Sequence, residues 1–343
     1  MGAPALAQTP AAVDSPVGVR TPSAAQTPAA RSTATPLLQA AIRPPLARYL
    51  TGGRFEITVA RGDSLRSIGS HYGIDPAVLA ELNGLRANAR LIAGQTLQID
   101  NRHLIPLALS EGILINVPQR MLFFFRRGKV AGAYPVSVGK PDWPTPRGPF
   151  EVLERREFPT WHVPVSIQRE MARLGKVVKK SVPPGPENPL GDCYLALSIP
   201  AVGIHATIAP QSIYDFRTHG CIRLHPEHAS ALFDAVGLGE SGQIIYEPVI
   251  LGLLDDGRIF LEVHRDVYSR KSVQMDHVRR LAEAEKLDAS IDWAKAAIAM
   301  SRRLGLATEV GLKPVASPSP TAGAPAWSPS TGAHLWPRVS LRG

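Results

Sequence analysis

A cysteine attacks a carbonyl as its thiolate, so a thiol meant for chemistry needs an imidazole nearby to take or stabilise its proton. Cys221 sits in the run Thr218-His219-Gly220-Cys221-Ile222-Arg223-Leu224, and His205 lies upstream in Gly203-Ile204-His205-Ala206-Thr207. These residue types point to acyl transfer with Cys221 as nucleophile and His205 as general base. The second ring nitrogen of His205 is then oriented by the backbone carbonyl of Ala206 or a neighbour. Gly220 has no Cβ, which permits a positive φ and lets the amides of Gly220 and Cys221 turn toward a developing oxyanion. His219 either hydrogen-bonds within the site or holds its loop. Arg223 has a fork that fits a substrate carboxylate, or else pairs with an internal acid.

Such residues need a scaffold, and short apolar or alternating runs supply one over 113–117, 121–125, 130–138, 150–154, 195–199, 243–246 and 259–263. Turn residues such as Arg127-Gly128-Lys129 separate them, and many short strands with few helices predict a closed or sandwiched β domain. Residues 276–304 switch to helical spacing with Asp288 and Ser290 between two stretches, which predicts a helical hairpin or one broken helix. Ahead of the β region, Phe55, Ile57 and Val59 alternate as a strand does, and Arg61-Gly62-Asp63 makes a turn. A helix follows through Tyr72 to a stop at Gly73, a second helix spans 76–82, and the alternation of 91–99 restores a strand. The 55–100 segment is thus a small βααβ unit.

That unit resembles the LysM module through Val59-x-x-Gly62-Asp63-Ser64-Leu65-x-x-Ile68, then Leu79-x-x-Leu82-Asn83, then Ile92-x-Gly94-Gln95-x-Leu97. The resemblance implies binding to the N-acetylglucosamine-containing glycan strands of peptidoglycan. The Cys221 block is similar to the L,D-transpeptidase catalytic domain, often called YkuD-type, whose signature is an upstream His, a spacer, then Ser or Thr before His-Gly-Cys. Three more blocks match in order: Gly139-x(5)-Thr145-Pro146-x-Gly148-x-Phe150, Pro159-Thr160-Trp161-x-x-Pro164-x-Ser166-Ile167, and Val182-Pro183-Pro184-Gly185-Pro186-x-Asn188-Pro189-Leu190-Gly191. The resemblance implies a YkuD-type β-sandwich or barrel over 104–248 and attack of Cys221 between the third and fourth residues of a stem peptide. D-alanine leaves, and the thioester passes to the amine of a second stem or of an outer-envelope protein. It also implies acylation of the cysteine by carbapenems. Thr218, Trp161, Asn188 and Tyr214 join Arg223 as substrate-binding candidates, the last three being equally readable as packing or turn residues. Two positions depart from the pattern: Ala206 stands where Gly is usual, adding a methyl beside the base, and Thr218 replaces the commoner Ser. Hydrolysis of the thioester by water, or a non-catalytic wall-binding protein, are the competing readings.

Composition is consistent with these readings without selecting among them. The net charge of +9 draws the protein to an acidic polymer, membrane or nucleic acid, yet the basic residues are scattered, and no nucleic-acid partner is expected. Two cysteines, Cys193 and Cys221, preclude a multi-cysteine metal site, and Cys193 reads as a small buried hydrophobe. His225 and His228 have an i,i+3 spacing, but no third ligand is indicated in the sequence, so no metal and no cofactor are expected. The ends are rich in Ala, Pro, Ser and Thr with little hydrophobic periodicity, so 1–50 and 314–343 read as a disordered arm and tail, and 249–270 as a β extension. Ala5-Leu6-Ala7-Gln8 looks like the end of an export signal whose earlier part is missing, or else part of the arm. Periplasmic or cell-envelope localisation is the expectation.

Overall fold

The structure, a computed structural model, describes residues 46–270 and 273–313. Residues 1–45 and the tail expected over 314–343 lie outside the described residues. The end of the expected arm is ordered: Ala47 is buried and exchanges backbone hydrogen bonds of 2.9 Å with Leu251 and Leu253, and strand β1 (Tyr49–Thr51) follows. An apolar pocket between two sheets holds Ala47, which composition alone does not reveal.

The LysM-like segment pairs β2 (Arg54–Thr58) with β3 (Thr96–Asp100) antiparallel, and α1 (Leu65–Tyr72) and α2 (Pro76–Leu82) lie between them in the chain. Ser64 caps α1 by accepting from the Ser67 amide while the Ser67 hydroxyl accepts from the Ser64 amide, and Gly73 ends it in the left-handed region at φ 73°. Asp75 caps α2, with Pro76 at its first position. Leu65, Ile68, Leu79, Leu97 and Ile99 form the core of this unit. The closing strand is shorter than its alternation suggests: 91–95 form a turn, with Gly94 at φ 89°. The short β4 (His103–Ile105) then pairs back onto β1.

The next section closes into a barrel. In chain order it comprises β5 (Gly112–Asn116), β6 (Met121–Arg126), β7 (Lys129–Gly139), β8 (Gly148–Glu157), an excursion of β9 (Trp161–His162), α3 (Val165–Arg173) and β10 (Ser181–Val182), then β11 (Cys193–Leu197), β12 (Gly203–His205), β13 (Phe216–Thr218), β14 (Ile222–Leu224), α4 (Pro226–Ala235) and β15 (Ser241–Ile245). Neighbours around the ring run β5-β6-β7-β14-β12-β11-β8-β15 and back to β5, and β13 lies alongside β7 outside the ring. Period-two alternation sends Ile113, Ile115, Leu122 and Phe124 into one core, where Cys193 also sits. Leu114, Phe123 and Phe125 face a second cluster with Ile105 and Tyr214. Both faces of β5 and β6 are therefore buried, which is why their runs are continuously apolar.

Past the barrel, β16 (Val249–Leu253) and β17 (Ile259–Val263) form an antiparallel sheet completed by β18 (Thr308–Glu309). Two helices, α5 (Met275–Ala284) and α6 (Trp293–Arg302), flank a 3-10 turn at Asp288–Ser290 and bury Val278, Ala282, Ala296 and Met300 against that sheet. Residues 276–304 thus cover a satellite sheet of their own.

Candidate active site

A pocket of about 260 Å³ opens beside β12 and β14, lined in part by Cys221, His205, His219, Arg223, Trp161 and Glu170. Its two key side chains arrive on adjacent parallel strands: β12 ends at His205, and His205 and Arg223 are partners in the β12–β14 register. Cys221 sits immediately before β14, partly exposed, with its Sγ donating over 3.8 Å to the Ala201 carbonyl.

His205 is buried, and its Nδ1 lies 2.7 Å from the carbonyl oxygen of Ala206, to which it donates, leaving Nε2 as the basic nitrogen. Burial and the Arg223 charge push its imidazole down to about 3, against the Ala206 and Leu190 carbonyls, so the ring is neutral near pH 7. Burial raises the Cys221 thiol, opposed by a backbone hydrogen bond at Gly203 and the Arg223 charge. The pair therefore rests as neutral thiol and neutral imidazole. Arg223 is itself lowered by burial, and among the described residues no carboxylate pairs with it and its Nε has no partner. That disposes of the internal-acid alternative within the described chain and leaves a desolvated cation beside the thiol.

The loop carrying Cys221 is tied from behind. The Thr145 hydroxyl donates to the Gly220 carbonyl at 3.0 Å and accepts from the Gly139 amide at 2.8 Å, while the Tyr268 hydroxyl donates to the Gly139 carbonyl at 2.6 Å. Gly139 must lack a Cβ, since one would lie 2.2 Å from the Trp143 carbonyl oxygen. Gly220 adopts φ 108°, a region that disfavours side chains. Its amide, however, donates inward to the Thr218 hydroxyl at 3.1 Å, so the expectation that it faces an oxyanion is corrected. The Cys221 amide has no internal backbone acceptor among the described residues.

Several substrate-binding expectations are also corrected. Thr218 reaches the pocket wall, but its buried hydroxyl donates to the Cys221 carbonyl at 2.6 Å and is spent on the loop. Asn188 is fully buried, its amide donating to the Pro159, Val182 and Pro183 carbonyls and its oxygen accepting from Leu190. Tyr214 is away from the pocket, at φ 63° in the second barrel cluster, with the Arg120 guanidinium 3.9 Å above its ring. These two are packing residues, the other option open for them in the sequence. The Ala206 methyl points toward Gly191, where a Cβ would come within 2.6 Å of it, so the backbone Gly191 leaves bare accommodates the departure from Gly.

Three contributors carry no sequence signal. Glu170 on α3 accepts from His219 Nε2 at 2.5 Å and from the Lys140 ammonium at 2.9 Å, and Trp143 meets the His219 ring edge-on at 4.4 Å. Lys140, then His219, hold the Glu170 carboxyl below its usual range, so His219 serves to dock α3 over the pocket. α3 buries none of its own residues and lines the pocket through Ile167 and Met171, with Leu174 just past its end. Tyr194 pairs with His205 across β11 and β12, its ring filling the space over Gly203; only the strand register would have revealed it.

Comparison with known proteins identifies both folded segments. Residues 110–251 match the L,D-transpeptidase catalytic domain, and residues 57–100 match the LysM domain. The chain is 29% identical over 277 residues to the probable L,D-transpeptidase ErfK/SrfK of Escherichia coli, covering 78% of this chain and 89% of that one. The Salmonella typhimurium protein of the same name is 30% identical over 242 residues, 69% and 78% of the two chains, and the probable L,D-transpeptidase YcfS of Escherichia coli is 30% identical over 230 residues, 65% and 71%. By motif order and relatives alike, this chain belongs to the L,D-transpeptidase family.

Proposed function

We propose that the protein transfers the acyl group of a peptidoglycan tetrapeptide stem through a thioester on Cys221. The observation that carries this reading is the placement of Cys221, His205 and an acid-free Arg223 in one pocket, with His205 oriented by the Ala206 carbonyl. His205 Nε2 takes the thiol proton as Sγ attacks the carbonyl of the third residue, so no resting ion pair is needed. The Cys221 amide donates to the developing oxyanion. The tetrahedral intermediate collapses with loss of D-alanine, which takes the proton back from His205. An amine then attacks the thioester, again giving its proton to His205, and the thiolate leaves and is reprotonated. Arg223 meets a stem carboxylate by a charge-assisted hydrogen bond, and Trp161 offers an apolar wall beside it. The LysM module holds the enzyme to glycan strands in the cell envelope, where acyl transfer runs without a nucleotide. No helix among the described residues is long and apolar enough to cross a membrane.

Incubation of wild type and Cys221→Ala with disaccharide-tetrapeptide, followed by product mass spectrometry, tests this. The expected result is D-alanine release and a cross-linked dimer, both lost in the variant. Release with tripeptide alone means hydrolysis, addition of a protein amine with no dimer means an attachment role, and products that persist in Cys221→Ala overturn the reading.

A further inference from the structure

The i,i+3 pair His225 and His228 lacks a third ligand in the sequence, and the fold supplies one from a distant segment. α4 opens with His225 at its N-cap and Glu227 and His228 in its first turn, and the last turn of α1 brings His71 against them. His71 Nδ1 lies 3.2 Å from Glu227 Oε1, and one ligand atom each of His71, Glu227 and His228 fall within 4.8 Å of one another. The His71 ring is 5.3 Å from that of His228 and 5.2 Å from that of His225. His225 Nδ1 approaches the other carboxylate oxygen, Glu227 Oε2, at 2.9 Å.

We propose that His71, Glu227 and His228 form a divalent metal site, suited to zinc, that joins the LysM module to the catalytic barrel. A tetrahedral zinc with bonds of about 2.0–2.1 Å sets neighbouring ligand atoms roughly 3.3 Å apart, close to the observed separation of His71 and Glu227. Two imidazoles and a carboxylate are a borderline N/O set that suits zinc, whereas calcium and magnesium take oxygen ligands throughout. His225 stands against the second carboxylate oxygen, at 2.9 Å, where partners of metal-bound carboxylates commonly sit. Access is one-sided: the His228 side chain is buried, while those of His71 and Glu227 keep 19% and 26% of their surface exposed, leaving a solvent-facing fourth position. None of the four residues lines the Cys221 pocket. Because α1 belongs to one unit and α4 to the other, the ion cross-links them near the Arg66–Asp215 ion pair and sets the angle at which a bound glycan presents its stems.

Zinc sulfate is titrated calorimetrically into untagged, chelator-treated full-length protein, both wild type and Cys221→Ala, with His71→Gln and Glu227→Gln beside them. The expected result is one saturable site in wild type and Cys221→Ala, a thermal midpoint that rises with zinc, and affinity lower by at least about tenfold in each ligand variant. Cobalt in place of zinc is expected to give visible bands with no thiolate charge-transfer band. Absence of saturable binding, affinity unchanged from wild type in both ligand variants, or a thiolate band that disappears in Cys221→Ala would each overturn the proposal. Two variants are used so that a folding failure in one leaves the other to decide, and circular dichroism checks both.

Discussion

His205 and His103 are both buried, 4% and 1% exposed, yet their surroundings give them opposite roles. His205 faces a carbonyl and an arginine and shares its pocket with a thiol, and among the described residues no carboxylate pairs with it. His103 lies 2.8 Å from Glu262 Oε1 through Nδ1 and 3.1 Å from the Gly73 carbonyl through Nε2, so both ring nitrogens are occupied. His264, Gln119 and the Leu104 amide complete the shell around Glu262, and His103 and His264 hold that carboxyl down at about 2 despite its burial. A buried imidazole with both nitrogens engaged, one by a carboxylate, becomes part of a lock; one with a nitrogen left over keeps a lone pair for chemistry. The lock joins the end of α1, β4 and β17, whereas the His205 pocket faces solvent.

Breaking the pocket side costs rate. His205→Gln is expected to lower the rate of D-alanine release by about 10²–10⁴-fold with little change in the thermal midpoint, and a steady-state assay beside a melting curve checks both. Breaking the lock side costs stability. Glu262→Gln removes the buried carboxylate that His103, His264, Gln119 and the Leu104 amide share and is expected to destabilise the fold by about 1–3 kcal/mol in urea, while the molecules that remain folded keep their turnover. If Glu262→Gln instead slowed turnover with stability intact, the division between the two regions would fail.

Acid sharpens the comparison. A histidine whose folded pKa is depressed contributes stability in full above its unfolded value of about 6.5, and that contribution shrinks as pH falls toward about 3. Stability is therefore expected to drop below pH 6.5, and His205→Gln should flatten that slope by about 1.4 kcal/mol per pH unit between the two values. An identical slope in wild type and variant would mean that His205 is not held neutral. The smallest effect is expected at Ala206→Gly: with the methyl against Gly191 rather than in the pocket, the rate should hold and stability should fall by about 0.5–1 kcal/mol. A clear rise in rate would mean that the methyl does obstruct the base.

What was legible in the sequence is what is local. The LysM-like caps and turns, the strand alternation and the Thr218–Leu224 block each lie within a few residues of chain, so their types and spacing announce them. Thr145 was legible as a motif residue but not as the tie between Gly139 and Gly220. Asn188 and Thr218 were groove candidates by their place in the motifs; packing turned both inward to satisfy backbone groups that would otherwise be buried unpaired. Tyr214 lies in the connection before β13 at φ 63°, which packs its ring into the second cluster, and its residue type does not announce that turn. The Glu262 lock was not legible at all, since His103 and its carboxylate are 159 positions apart, and neither was the approach of His71 to α4.

The central claim is a thioester on Cys221, and trapping it is the most direct test. Wild type mixed with disaccharide-tetrapeptide in the absence of acceptor, quenched in acid and digested, should yield the Cys221 peptide carrying the disaccharide-tripeptide acyl group. The adduct should be labile to hydroxylamine and accumulate far more slowly in His205→Gln. An adduct on any other residue, or turnover to product with no adduct on Cys221 at any time point, would contradict the account.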